Sequence, residues 1–214
     1  MTKQSIIVGY GGHGIVIEDI LKIRGQKILG FIDKNYKKGD IKNDLECLGS
    51  EDIFLEQLIN FDKYDFYNGI GPSTKNKNRE ELQKKFKLKG INFKTIIHVN
   101  AIISDSAQLR EGVQIFANSV IQPNTLIEEG TVINTACNVD HDSRIGSNTH
   151  LAPAVTCGGN VKIGNNSFIG SGSNIINNIE IGNNVVIASG STIFQNIEDN
   201  VKIIQKKNII KIER

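Results

Sequence analysis

Between Ile97 and Ile193 every sixth residue but one is aliphatic. The positions are Ile97, Ile103, Leu109, Ile115, Ile121, Ile127, Ile133, Val139, Ile145, Leu151, Cys157, Ile163, Ile169, Ile175, Ile181, Ile187 and Ile193. Cys157 alone departs from Ile, Leu or Val, and the frame never slips. A helix repeats at 3.6 residues and a plain strand at 2, so neither produces a period of six. Hexapeptide repeats are the signature of a parallel β-helix. Two residues before each aliphatic the side chain is mostly small or β-branched, as at Ser119, Thr125, Thr131, Cys137, Ser143, Thr149, Ser167 and Ser173. Gly often follows the aliphatic (Gly146, Gly158, Gly164, Gly170, Gly182), and Asn comes soon after, as in Asn165-Asn166. Each hexad therefore reads as a short strand and a corner. The aliphatic points into a prism, and Gly and Asn tolerate the positive φ that tight corners need. Three hexads close one triangular coil, so residues eighteen apart stack, and the seventeen hexads make five to six coils. That number suffices for a continuous core, which no single repeat can bury alone.

The whole chain constrains the function further. Its 214 residues permit one or two domains, and a net charge of +2 gives no nucleic-acid footprint. Tryptophan is absent and aromatics are few, as a thin prism filled with Ile and Val requires. The N-terminus lacks the apolar run of a secretory signal, and no stretch approaches the roughly 18 apolar residues of a membrane span. Cys47, Cys137 and Cys157 are too scattered for a disulfide framework or a metal motif. Cys137 and Cys157 read as small hydrophobes of the coils rather than nucleophiles. A reduced, cytoplasmic setting and no metal are expected.

Ahead of the hexads, strand and helix alternate. Strands are predicted at residues 3–9, 27–32, 64–70 and 93–97, and helices over 15–24, near 51–59 and over about 78–87. The expectation is a small parallel α/β domain over 1–95 and a β-helix over 96–214. Gly9-x-Gly11-x-x-Gly14 follows a strand and opens a helix, with Asp33 nineteen positions beyond Gly14. That matches the dinucleotide fingerprint. Two mononucleotide halves need more chain than the hexads leave, so one half holding a diphosphate-bearing nucleotide is expected. The glycine turn lets backbone approach phosphate at a helix N-terminus. Gly71, Pro72 and Ser73 follow the third strand and border the same cleft. Arg79 reads equally as a phosphate ligand or a solvated helix arginine.

Within the coils, Val139-Asp140-His141-Asp142 places one imidazole two positions beyond an inward residue, at an outward corner between acids that raise its basicity. One coil on, 141 + 18 = 159, stands Gly159, which leaves room for a thioester. This segment, with Asn134 seven residues before His141, resembles the part of sugar-nucleotide acetyltransferases that carries the catalytic histidine. The Gly-Gly-His-Gly loop, the Phe31-Ile32-Asp33 strand end and the Gly-Ile-Gly turn with Arg79 extend the match over both domains. The chain is identified as resembling the hexapeptide-repeat enzymes that acetylate UDP-4-amino sugars, as in bacillosamine biosynthesis, with sialic acid O-acetyltransferases as near relatives.

The resemblance implies a left-handed β-helix, acetyl-CoA as cosubstrate, and a homotrimer with active sites between subunits. It implies His141 as general base, Asp142 as the neighbour that raises its basicity, and Gly159 as oxyanion donor. It further implies Gly11, Gly12 and His13 on the diphosphate and sugar, Asp33 and Lys34 flanking the base, and His150, Ser171 and Ser189 on acetyl-CoA. His150 reads alternatively as a corner cap. One departure is that the family's Gly-x-Pro-Ala segment is missing. The tail beyond Val201 alternates apolar and basic residues, and is expected to pair over the last coil, with lysines that could meet coenzyme phosphates. Three rival readings stay open: O-acetylation of a sialic-type sugar, a non-catalytic nucleotide-binding solenoid, and an NAD enzyme.

Overall fold

The computed structural model describes residues 3–57, 60–74 and 78–204. The N-terminal part is a three-stranded parallel sheet in the order β2-β1-β5, with β1 at Gln4–Val8, β2 at Ile28–Ile32 and β5 at Tyr64–Asn68. Helices α1 (Gly12–Ile23), α2 (Glu51–Gln57) and α3 (Asn78–Leu88) flank it. A single three-stranded unit is present among the described residues, as the short chain ahead of the hexads requires. A hairpin, β3 (Ile41–Lys42) with β4 (Leu45–Glu46), stands where only a connection was expected. Its turn residues Asn43 and Asp44 both have positive φ, the requirement of a two-residue hairpin turn.

From Ile96 the chain coils. Two-residue strands recur every six residues and stack in parallel with partners eighteen apart, as Asn138 and Val139 do on Thr156 and Cys157. They form three faces. Face one has seven strands (96–97, 114–115, 132–133, 150–151, 168–169, 186–187, 202–203). Face two has six, from 102–103 to 192–193, and face three has five, from 108–109 to 180–181. The inward aliphatics fill one core, fully buried from Ile115 onward and half-buried in the first coil, where nothing is stacked beyond them. The small residues of the hexads close the corners with hydroxyls rather than with size alone. Thr131 Oγ1 donates to the Gly146 carbonyl at 2.6 Å and Thr149 Oγ1 to Gly164 at 2.7 Å. Cys137 uses its thiol in the same way, toward the Ala152 carbonyl at 3.1 Å.

The corners correct one expectation. The positive φ falls three residues after the inward aliphatic in every hexad from Leu109 to Ile187, at Asn124, Asp142, Asn160 and Asn178 among others. Gly146 and Gly164, directly after the aliphatic, have ordinary φ. A Cβ at either would lie 2.6 Å from the backbone of the next coil, so these glycines answer to close stacking instead.

The α/β domain sits on face one. Phe93 bridges to Phe66 in the domain's sheet, and Ile96 begins the first coil. Ile96, Phe116 and Val132 share a core with Ile7, Tyr10, Ile17 and Tyr67. Polar ties fix the seam: Gln114 Nε2 donates to the Asn68 carbonyl at 2.7 Å, Arg24 to Ile97 at 2.9 Å, and Lys87 pairs with Glu129 at 2.9 Å. Of the tail, Lys202–Ile203 pairs on Val186–Ile187, as expected, and its later lysines lie outside the described residues.

Candidate active site

His141 occupies the corner between faces two and three, in the turn from the strand at 138–139 to that at 144–145. Its backbone N–H donates to Asp140 Oδ1 at 2.8 Å, and its Nδ1 meets Asp142 Oδ2 at 2.8 Å. A carboxylate there accepts, so Nδ1 carries the proton and Nε2 keeps its lone pair. Asp142 can reach back because it takes the left-handed conformation, φ 58°. Its other oxygen accepts from Asn124 Nδ2 at 3.1 Å, one coil earlier. The Asp142 hydrogen bond, then the Asp140 charge, raise the proton affinity of His141, and the imidazole in turn holds Asp142 below the usual carboxylate range.

Gly159 lies beneath the ring. A Cβ there would be 2.8 Å from both Cε1 and Nε2 of His141. The Gly159 carbonyl accepts from Asn178, while its N–H has no acceptor among the described residues. A basic nitrogen and an unpaired N–H thus stand together on an exposed edge.

The glycine cleft lies across the molecule. Its cavity of about 580 Å³ is lined by Gly11, Gly12, His13, Asp33, Lys34 and Gly71, among others. Gly11 and Gly12 leave open space where side chains would stand. Helix α1 begins there with no side-chain cap and no acid in its first turn, so its N–H groups and dipole are available to an anion. Gly14 is required for packing, since a Cβ would overlap the Gly9 carbonyl. Asp33 holds the turn: Oδ2 accepts from the Tyr10 N–H at 2.8 Å and Oδ1 from the Asn35 N–H at 2.9 Å. Lys34 is exposed at the rim. His13 Nε2 meets Gln114 Oε1 at 2.7 Å, tying the glycine loop to the solenoid. Burial, then the Arg79 charge, push His13 down to about 4 against the opposing Gln114 bond, so the ring is neutral.

Other sequence candidates fall elsewhere. Pro72 and Ser73 line a separate cavity against the coils rather than the glycine cleft. Arg79 is buried, which excludes the solvated reading, and donates to the Ile70 carbonyl at 2.7 Å. His150 is a buried strand residue of face one rather than a corner cap, with Nε2 at 3.2 Å from Asn134 Nδ2 and its ring edge on Phe168. Burial pushes it down to about 3. Ser171 and Ser189 are exposed at the corner between faces one and two. The sequence reading gave no role to Gln114 or to the Asn134–His150 pair. Gln114 carried a signal, because its stacked neighbours on face one, Ile96 and Val132, are both apolar. Burial raises the Cys137 thiol to about 11 and Cys157 further, so neither is a ready thiolate. No helix is long and apolar enough to cross a membrane, and no metal-ligand cluster occurs among the described residues.

Within one chain, then, His141 with Gly159, the serines, and the glycine cleft occupy three different places. The corner between faces two and three is opposite face one, which carries the α/β domain.

Comparison with known proteins places this arrangement. Residues 4–86 match the PglD N-terminal domain family, and residues 160–195 match the bacterial transferase hexapeptide (six repeats) family. A mutant of GDP-perosamine N-acetyltransferase from Caulobacter crescentus, in complex with CoA and GDP-perosamine, is 27% identical over 94% of this chain and 93% of that one, with a TM-score of 0.85. The acetyltransferase domain of PglB from Neisseria gonorrhoeae, in complex with acetyl coenzyme A, is 26% identical over 94% and 96%, also with a TM-score of 0.85. WeeI from Acinetobacter baumannii, at 19% identity over 95% and 97% with a TM-score of 0.62, shares the fold. The chain is similar through both domains to sugar acetyltransferases built on hexapeptide repeats.

Proposed function

We propose that this chain, an acyltransferase of the hexapeptide-repeat class, transfers the acetyl group of acetyl-CoA to the 4-amino group of a nucleotide-linked sugar. The observation that carries the reading is the His141 corner. An imidazole fixed by Asp142 turns its basic nitrogen over a glycine whose N–H is unpaired.

The chemistry follows from those groups. His141 Nε2 takes a proton from the amine as its nitrogen adds to the thioester carbonyl carbon. The Gly159 N–H stabilises the oxyanion that develops. When the carbon–sulfur bond breaks, the imidazolium returns the proton to the departing thiolate, giving amide and thiol. No acyl-enzyme is needed. The diphosphate lies on Gly11, Gly12 and the start of α1, with His13 toward the sugar, Asp33 and Lys34 toward the base, and Gly71 along the far wall. Ser171 and Ser189 border the coenzyme, and His150 supports its path through Asn134.

A second copy completes the site. The glycine cleft lies against face one and His141 on the opposite corner, so nucleotide and base meet only across a boundary between copies. We infer a homotrimer in which one subunit's His141 serves the sugar held by its neighbour. The deciding experiment incubates the protein with acetyl-CoA and a panel of UDP-, dTDP- and GDP-linked amino sugars and follows thiol release. Turnover with one of them, lost by roughly 10²–10⁴-fold in a folded His141→Ala trimer, supports the reading. Turnover unchanged in that variant, or thiol release with none, refutes it.

A further inference from the structure

The loop before α1, Gly9-Tyr10-Gly11-Gly12, carries one side chain. Its glycines leave the backbone free to turn, and ordering it only when an anion arrives would cost affinity. Tyr10 removes that freedom. It is fully buried, with its ring stacked on Phe31 at 4.1 Å between centroids and planes 15° apart. Its hydroxyl donates to Glu18 of α1, a buried carboxylate paired with Lys22 at 2.6 Å. Its N–H donates to Asp33 Oδ2 at 2.8 Å.

The Tyr10 carbonyl is held from the β3–β4 hairpin. Lys42 stands opposite Leu45 across the hairpin, so the two side chains share a face. Leu45 is buried in the same cluster as Tyr10 and Phe31, which carries Lys42 inward with it. Lys42 Nζ donates to the Tyr36 hydroxyl at 2.6 Å and to the Tyr10 carbonyl at 3.5 Å. It also lies 5.0 Å from the Tyr36 ring centroid and 5.5 Å from that of Tyr10. No carboxylate among the described residues pairs with it. The charge is therefore spent on two ring faces and one carbonyl dipole.

That carbonyl belongs to the same peptide unit as the Gly11 N–H. The unit is trans and planar, so its C=O and N–H point to opposite sides. An ammonium on the carbonyl side turns the N–H the other way and polarises it as a donor. The Gly11 N–H has no acceptor among the described residues. Gly11 lines the glycine cleft, and Lys42 stands outside that wall.

We propose that Lys42 is a positioning residue of the glycine cleft: by holding the Tyr10 carbonyl it aims the Gly11 N–H at the diphosphate, which Lys42 itself does not touch. The inference rests on the diphosphate seat assigned to that cleft and adds the hairpin as the element that sets the loop.

The test compares the full-length protein with Lys42→Met, whose unbranched, adaptable side chain can keep the contact with both rings, and with Lys42→Arg, which restores a donor cation. Calorimetry gives Kd for inorganic pyrophosphate, UDP, GDP and dTDP, and NMR follows the Gly11 amide without ligand. In Lys42→Met the Kd of pyrophosphate and of the nucleoside diphosphate that binds should rise about tenfold, near the lower end of what a hydrogen bond to a charged group contributes. The Gly11 amide resonance should move, and Lys42→Arg should recover most of both. In turnover, KM for the sugar nucleotide should rise by the same factor, with KM for acetyl-CoA and kcat at saturation kept. The titrations are repeated at about 0.05 M and about 0.5 M salt, because a bare field effect is screened and an orientation effect is not. A tenfold ratio that persists at high salt supports the proposal. A ratio that collapses there, a Kd unchanged in Lys42→Met, or a Gly11 amide that does not move overturns it. Should the native protein bind none of these anions, the diphosphate seat itself falls, and the Gly11 amide still decides whether Lys42 sets the loop.

Discussion

Replacing Asp142 by Asn separates the two roles of that carboxylate. As a corner residue it adopts φ 58°, and Asn adopts φ 59° at 124 and 55° at 160, on the same corner one coil away in each direction. The substitution should leave the coil intact and keep an oxygen that can accept from His141. What it removes is charge. The hydrogen bond to Asp142 is the largest cause of the raised proton affinity of His141, with the Asp140 field second. Trading that charge-assisted bond for a neutral one, with the Asp140 field kept, moves the imidazole back toward its ordinary value near 6.5. A base whose proton affinity is raised is free only at higher pH. Under the proposed function, kcat/KM of the native enzyme therefore should fall as pH drops through that raised value, and in Asp142→Asn the fall should come at lower pH. The plateau above it should be lower, because a weaker base transfers the proton less readily. The loss should stay below the roughly 10²–10⁴-fold expected for removing a general base altogether. The side chains of His141 and Asp142 are 58% and 53% exposed, so salt should narrow the difference between the two profiles. The assay is kcat/KM for the amino-sugar nucleotide at saturating acetyl-CoA, from about pH 5 to 9. An acid limb that stays at the same pH while the plateau falls would show that Asp142 only shapes the corner.

Gly159→Ala places a methyl 2.8 Å from two atoms of the His141 ring at an ordinary φ. The exposed ring can swing away, so activity should fall on the scale of base removal, roughly 10²–10⁴-fold, with the melting temperature nearly unchanged. A fully active Gly159→Ala would remove the glycine from the site. Gly164→Ala meets backbone of the next coil at 2.6 Å, whereas Gly172→Ala enters open space and strains only its φ of +66°. Urea unfolding should show the first destabilised by about 1–3 kcal/mol by overpacking, and the second by about 1–2 kcal/mol. His13 and His150 stay neutral in the fold down to about 4 and about 3, while free histidine protonates near 6.5. Their contribution is fully present above pH 6.5 and is lost as the pH falls toward those folded values, because the unfolded chain binds the extra protons. The unfolding free energy measured with urea should drop over that interval by up to about 1.4 kcal/mol per pH unit for each proton, and His150→Gln should flatten the slope.

The solenoid was legible because its constraint repeats. One misread hexad would have broken the frame, and none did from Ile97 to Ile193. The glycines that follow five of the inward residues were visible, but their cause was not. Sequence cannot tell a residue needing positive φ from one crowded by a neighbour eighteen positions away, and only the stacked backbone at Gly146 and Gly164 separates the two. The hairpin at Ile41–Glu46 had a signal in Asn43-Asp44, weaker than a glycine turn because both residues also suit open loops. The seam was opaque for another reason. Helix α3 is rich in Lys and Glu, so it reads as a solvated helix, yet Arg79, Leu82 and Phe86 on one side of it are buried. An arginine among apolar residues on the inward stripe was the available clue. What it touches, the carbonyls of Ile70 and Gly130, depends on how two domains dock, and no local pattern encodes that.

The same periodicity settles where chemistry can occur. Residues two places beyond an inward aliphatic lie on one corner in every third hexad, so His141 and Gly159 are stacked by arithmetic as much as by contact. The α/β domain enters face one, because the first strand after it, Ile96–Ile97, belongs to that face. Counting from there, the corner of His141 is the one that face one does not touch. Had the histidine stood one hexad earlier or later, at 135 or 147, it would have lain on a corner bordering face one. Under the proposed function, its placement in the intervening hexad is what calls for a second copy. Under the proposed function, mixed trimers of His141→Ala subunits with subunits defective in the glycine cleft should regain activity, since each variant supplies what the other lacks. Mixed assemblies no more active than the separate variants would mean that base and nucleotide belong to the same chain.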